Sequence, residues 1–112
     1  MRVNLRRRRT RRVDFRAVNT AALARLSELL PRLLPGGRIV GAEWHAGSLR
    51  GERGNSLRVR LRGERAGVWC DFATGERGGD PVSLCAAVWG ISQVEAARRL
   101  AALLGMEGSR HG

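Results

Sequence analysis

The segment SLRVRLRG, residues 56–63, constrains this chain more than any other stretch. Leu57, Val59 and Leu61 alternate with Arg58, Arg60 and Arg62, so a repeat of two sends the aliphatic side chains to one side of a strand and the guanidinium groups to the other. The aliphatic side has to be covered. The arginine side has to stay in water, because a guanidinium group buried without a partner is strongly destabilising. The expected element is a half-buried strand in a sheet with one covered face.

The neighbouring residues fit such a sheet. GERAG (63–67) supplies a short hairpin connection, and VWCDFA (68–73) supplies an antiparallel partner. RIVGAEWHAG (38–47) reads as one further strand, and the Gly-rich SLRGERGN (48–55) as a loop. Leu23, Leu26, Leu30, Leu33 and Leu34 recur at helical spacing after Asn19 or Thr20 as N-cap, which predicts a helix over about 20–34. Pro31 is expected to kink it or end it early, and Pro35-Gly36-Gly37 to stop it. Asp80 as N-cap with Pro81 at the first helical position opens a second helix, with Val82, Cys85, Ala86 and Trp89 on one face and an end near Gly90. Ser92 with Glu95 gives a capping-box signature for a last helix, with Val94, Ala97, Ala101 and Leu104 along one side as far as Gly105.

The sum is an α+β fold: a small antiparallel sheet of three or more strands with helices packed on one face. A chain of 112 residues suffices for one core, expected over 17–105, between a basic mobile arm over 1–16 and a frayed tail over 106–112.

Charge narrows the function. The chain carries 21 basic and 10 acidic side chains, a formal charge of +11, and every basic residue is Arg. Lys would bring the same attraction to phosphate, so the inference does not depend on that choice. Nucleic acid and anionic membrane are the physical candidates. No stretch approaches the roughly 18–20 apolar residues of a membrane span, and the N-terminus has no apolar signal core, so a cytoplasmic protein without a membrane partner is expected. Cys70 and Cys85 are separated by 14 intervening residues without close Cys or His neighbours, which argues against a metal site and a disulfide framework. Scattered acidic residues give no magnesium cluster, and no Ser-His-Asp or Cys-His set is evident, so neither catalysis nor a cofactor is expected.

The candidate contacts follow from these patterns. Arg58, Arg60 and Arg62 repeat every ~6.6–7 Å along their strand, close to the phosphate repeat of an extended nucleic-acid strand. A merely solvated strand face is the competing reading. Trp69 and Trp44 are candidate stacking platforms. Trp69 shares a side with Asp71 and opposes Cys70, so it joins the arginine face if Val68, Cys70 and Phe72 face the helices; a slip of one residue reverses this. Arg50, Arg53 and Arg77 are loop arginines that extend the basic surface. Arg6, Arg7, Arg8 and Arg9 are phosphate-contacting candidates in the N-terminal arm, for which a solubilising tail is the alternative. TGERGGD (74–80) looks like a phosphate cradle before a helix, but Asp80 at the N-cap already takes the donors a phosphate needs.

At WCDFATGERGGDPVSLCAAVWGISQVEAARRLAALLG (69–105) the sequence resembles the N-terminal zinc-binding domain of bacterial and phage DNA primases. Gly78-Gly79-Asp80 matches the family's turn, and Glu95-Ala96 through Leu100-Ala101 matches its last helix. GSLRGERGNSLRVRL (47–61) lies where that family carries its first metal-ligand pair and the following strand, so the resemblance covers about 60 residues, from Gly47 to Gly105. The family's ribbon takes a Cys and a His from its first knuckle and two Cys from its second. Here Gly47 and Arg50 occupy the first, and Asp71, Phe72 and Gly75 surround the second; Cys70 stands near one ligand position without partners. The departure resembles metal-free versions in primase-like proteins of phages and mobile elements. Zinc supplies about 10 kcal/mol or more of folding energy in such ribbons. Trp69, Phe72 and Trp89 are its expected replacements in the core, since each can bury on the order of 150–250 Å².

The resemblance implies a single-stranded DNA-binding accessory module of a primase or mobile-element replication system, with RNA as a related ligand. It also implies that nucleotidyl transfer belongs to a separate polymerase or Toprim domain. An adaptor docking on a replicative helicase or polymerase through its helical face, and a template-positioning fragment of a larger primase-helicase, are the alternative readings.

Overall fold

A computed structural model describes residues 12–106. Two helices, α1 (Phe15–Ala24) and α2 (Leu26–Leu33), precede five short strands: β1 (Arg38–Val40), β2 (Glu43–Ala46), β3 (Leu57–Arg60), β4 (Trp69–Asp71) and β5 (Arg77–Gly78). Two more helices follow, α3 (Pro81–Trp89) and α4 (Gln93–Leu103). The strands form one open sheet in chain order, each antiparallel to the next. The fold is therefore α+β, as the alternating segment predicts. Among the described residues no helix is long and apolar enough to cross a membrane.

The alternation in β3 organises the core. Leu57 and Val59 are wholly buried, while Arg58 and Arg60 are exposed. Register carries the pattern sideways: Trp44 and Trp69 flank Val59, and Ala46 and Asp71 flank Leu57, so all six side chains share the helix side. There the five apolar ones join Leu26, Leu29, Leu30, Leu34, Val82, Leu84, Cys85, Ala96, Ala97 and Leu100 in one cluster, and Asp71 is buried beside them. Burial desolvates the Cys85 thiol and pushes its pKa up to about 12.

Both core tryptophans owe their position to a glycine and a hydrogen bond. A side chain at Gly37 would collide with the Trp44 indole, and one at Gly78 with the Trp69 indole and the Ser83 hydroxyl. The indole nitrogens are satisfied in place: Trp44 Nε1 donates to the Leu34 carbonyl at 3.2 Å, and Trp69 Nε1 to Ser83 Oγ at 3.0 Å.

Several elements differ from expectation. The segment 38–47 is a hairpin rather than one strand, because Gly41, at φ 62°, takes the left-handed conformation that turns β1 back into β2. The helix expected over 20–34 is two: α1 starts earlier, with the Asp14 carboxylate accepting from Ala17 N, and the chain breaks at Arg25. Its start at Phe15 lies inside the arm expected over 1–16. Pro31 sits inside α2 without ending it. Asn19, expected as an N-cap of its own helix, instead accepts from Val82 N at 2.9 Å and so caps α3. The loop 74–79 contributes the fifth strand. In α4 the buried side is Ala96, Ala97 and Leu100, whereas Val94 is exposed.

Candidate nucleic-acid interface

The face of the sheet turned away from the helices is built by the same register. Arg38 stands opposite His45, His45 opposite Arg58, Arg58 opposite Cys70, and Cys70 opposite Arg77. These five residues form one row from β1 to β5. A second, shorter row holds Val40, Glu43 and Arg60. Of the strand residues on this face, Arg38, Arg58, Arg60 and Arg77 are cationic and Glu43 alone is acidic.

The arginines are not equivalent. Arg60 Nη1 lies 3.7 Å from Glu43 Oε2, and the other oxygen of that carboxylate meets His45 Nε2 at 2.9 Å, so the charge of Arg60 is partly offset. Arg62 lies beyond the end of β3 and donates to the Gly41 carbonyl at 3.2 Å. Arg38 and Arg58 are held by one neutral residue: Asn55 Oδ1 accepts from Arg38 Nη2 at 3.0 Å, and the Asn55 carbonyl accepts from Arg58 Nε at 3.1 Å. Two guanidinium groups are thus fixed on adjacent parts of one face without loss of charge. Arg77 is exposed and makes no ion pair among the described residues.

The aromatic partner of this face is Phe72. The expected inward position of Val68, Cys70 and Phe72 is reversed by one residue: Trp69 is 4% exposed and Asp71 2%, whereas Phe72 is 66% exposed. Trp69 and Trp44, at 8%, are core residues and offer no ring to a base. Phe72 is no core replacement for zinc; its ring lies under the Arg58 guanidinium, 5.0 Å from carbon to centroid. Trp89 is half-buried against the core, with Arg99 over its ring at 4.5 Å.

Of the other expected contacts, Arg77 lies on β5 in the basic row rather than in a loop. Arg50 and Arg53 are exposed on the β2–β3 loop, outside that row. Arg6, Arg7, Arg8 and Arg9 lie outside the described residues. The α3 N-terminus offers no phosphate cradle, because Ser83 N donates to Asp80 Oδ1 at 2.8 Å and Val82 N is taken by Asn19. Sequence reasoning missed Arg38, Asn55 and Phe72. Once Trp69 is inward Phe72 must point outward, but the apolar run VWCDF does not itself choose that facing, and Asn55 acts through a loop that carries no periodic signal.

The described residues do not fit zinc: no group of three or more His, Cys, Asp or Glu side chains is placed to hold a metal ion. The Asp71 carboxylate is engaged by Ala73 N at 2.9 Å, and Cys70 stands between Arg58 and Arg77 in register. Compared with known proteins, the chain matches no family model, no curated protein and no solved structure.

Proposed function

We propose that this chain is a non-catalytic module that binds single-stranded DNA in a primase or mobile-element replication system, working in the cytoplasm and without a metal. The observation that carries the reading is the sorting of charge by the sheet. Arg38, Arg58, Arg60 and Arg77 share one face with a single carboxylate among the strand residues, and the helices cover the other face. Phosphates are the ligand for such a face, because ion pairing there releases counterions from the nucleic acid.

The likeness of residues 47–105 to the primase zinc domain supports the replication context. Hydrogen bonds close the two turns where that family sets its ligand pairs. In the first, Gly47 N donates to the Glu52 carbonyl at 2.7 Å and Ser48 Oγ to Glu52 Oε1 at 2.7 Å, which draws the Glu52 carboxyl below its usual range. In the second, the Asp71 carbonyl accepts from Gly75 N at 2.7 Å. The adaptor reading has less to work with. Val94 and Leu103 are exposed on α4, but nine positions at about 100° each put them on opposite sides of the helix.

Fluorescence anisotropy of a labelled oligonucleotide at increasing salt tests the reading. Binding at low salt, with log K falling against log salt at about −0.7 per phosphate contact, is the expected result. Absence of binding at low salt, or an affinity indifferent to salt, contradicts it.

A further inference from the structure

We infer that Phe72 and Arg58 form a stacking step for one unpaired nucleobase, on a single strand that crosses the sheet from β1 to β5 at right angles to the strands. The inference rests on the single-strand reading above and gives it a path and a base contact.

Phe72 follows β4 on the arginine side, with its backbone N–H fixed to the Ser56 carbonyl at 2.8 Å. At 66% exposure it is the most exposed large hydrophobic side chain among the described residues, and its ring is covered on one side by the Arg58 guanidinium at 5.0 Å. A ring and a planar cation held together in water form a platform that accepts any base, because every base has a π-face. Arg58 is anchored through Nε to Asn55, which leaves its terminal nitrogens without a hydrogen bond among the described residues. The same side chain can therefore back the stack and donate to a phosphate.

The charge pattern sets the direction. Along β3 a phosphate would meet Arg60 together with the Glu43 carboxylate, and then Arg62, whose guanidinium is tied to Gly41. Across the strands the row Arg38, His45, Arg58, Cys70, Arg77 has no carboxylate of its own. Glu43 reaches it only at His45, which is buried and meets Glu43 Oε1 at 2.9 Å, so the three arginines of the row carry no ion pair among the described residues. Neighbouring strands are ~4.8 Å apart, so successive arginines in this row are separated by roughly 10 Å and the whole row spans roughly 19 Å. That length suits a short site of roughly four nucleotides, the low end for small sheet modules.

The test uses the full chain, labelled oligothymidylates and a matching abasic oligonucleotide, with four variants: Phe72→Ala, Phe72→Trp, Arg38→Ala with Arg77→Ala, and Arg60→Ala with Arg62→Ala. All five side chains are exposed, so melting temperatures should stay close to that of the unmodified chain. Phe72→Ala is expected to weaken binding of the thymidylate about tenfold at an unchanged salt slope, within the range for one stacked base. Phe72→Trp should restore it, and on the abasic strand Phe72→Ala should have no effect. The Arg38/Arg77 pair should lower both affinity and salt slope more than the Arg60/Arg62 pair. Equal binding by Phe72→Ala and the unmodified chain, or dominance of the Arg60/Arg62 pair, overturns the stacking step or the crosswise path while leaving single-strand binding in place. A full chain that binds no oligonucleotide at low salt removes the single-strand reading itself, and the inference with it.

Discussion

The two faces of the sheet come from the same strands and differ in how their polar atoms are used. On the helix side the Trp44 and Trp69 indole nitrogens donate to Leu34 and Ser83, the Asp71 carboxylate accepts from Ala73, and no buried side-chain nitrogen or oxygen among the described residues lacks a partner. On the far side, the hydrogen bonds of Arg38 and Arg58 among the described residues go to the neutral oxygens of Asn55, and Phe72 is left in water beneath the Arg58 guanidinium. One face is completed by folding. The other keeps donors and an aromatic ring in reserve, which is the arrangement a ligand-binding surface needs and a core does not.

The largest contrast to test is chemical. Cys85 belongs to the closed face and Cys70 to the open one. Desolvation raises Cys85 from 9.0 to about 12, so its thiolate fraction at neutral pH falls by roughly a thousandfold relative to an ordinary thiol. A thiol reagent applied to the folded protein should modify Cys70 and spare Cys85, as read by mass spectrometry; equal labelling of both would break the comparison. The same shift has a pH consequence. The folded state favours the protonated thiol, so its contribution to stability is complete below pH 9.0 and is lost as pH rises toward about 12. Urea titrations across that interval should show the decline, and a Cys85→Ala variant should show less of it.

Next in size come the aromatics. Trp69→Ala should lower unfolding free energy by about 3–5 kcal/mol, through lost burial and the cavity left beside Gly78. Trp44→Phe removes the bond to the Leu34 carbonyl, which keeps its second donor at Gly37 N, and should cost about 0.5–1.5 kcal/mol. Phe72→Ala should change stability by less than about 0.5 kcal/mol, as expected of an exposed side chain. Urea denaturation of the three variants checks the order. A destabilisation by Phe72→Ala as large as that by Trp69→Ala would mean that the two faces have been assigned the wrong way round.

Much of this was legible in the sequence. The strict alternation in 56–63 fixes which β3 residues face inward, and with one face buried no other register survives. The N-caps at Asp80 and Ser92 are local chemistry and stand as read, although at Ser92 only half of the expected capping box forms: Ser92 Oγ accepts from Glu95 N, while the Glu95 carboxylate lies beside Arg98. The strand 69–71 was not legible in the same way, since VWCDF is apolar at nearly every position and either face could turn inward. What decides it is remote: Gly78 on the next strand leaves space for the Trp69 indole, and Ser83 Oγ on α3 accepts its hydrogen bond. Arg38 lay hidden for a similar reason, because the turn at Gly41 separates β1 from β2 and register alone places Arg38 in line with Arg58 and Arg77.

Backbone amide chemical shifts of the isotope-labelled chain, followed while a short oligothymidylate is added at low salt, give the most direct reading of where a strand lands. Perturbations gathered at Arg38, Asn55, Arg58, Cys70, Phe72 and Arg77, with Val82 through Leu100 undisturbed, are the predicted result. Shifts confined to α3 and α4, or none on the outer side of the sheet, would contradict it.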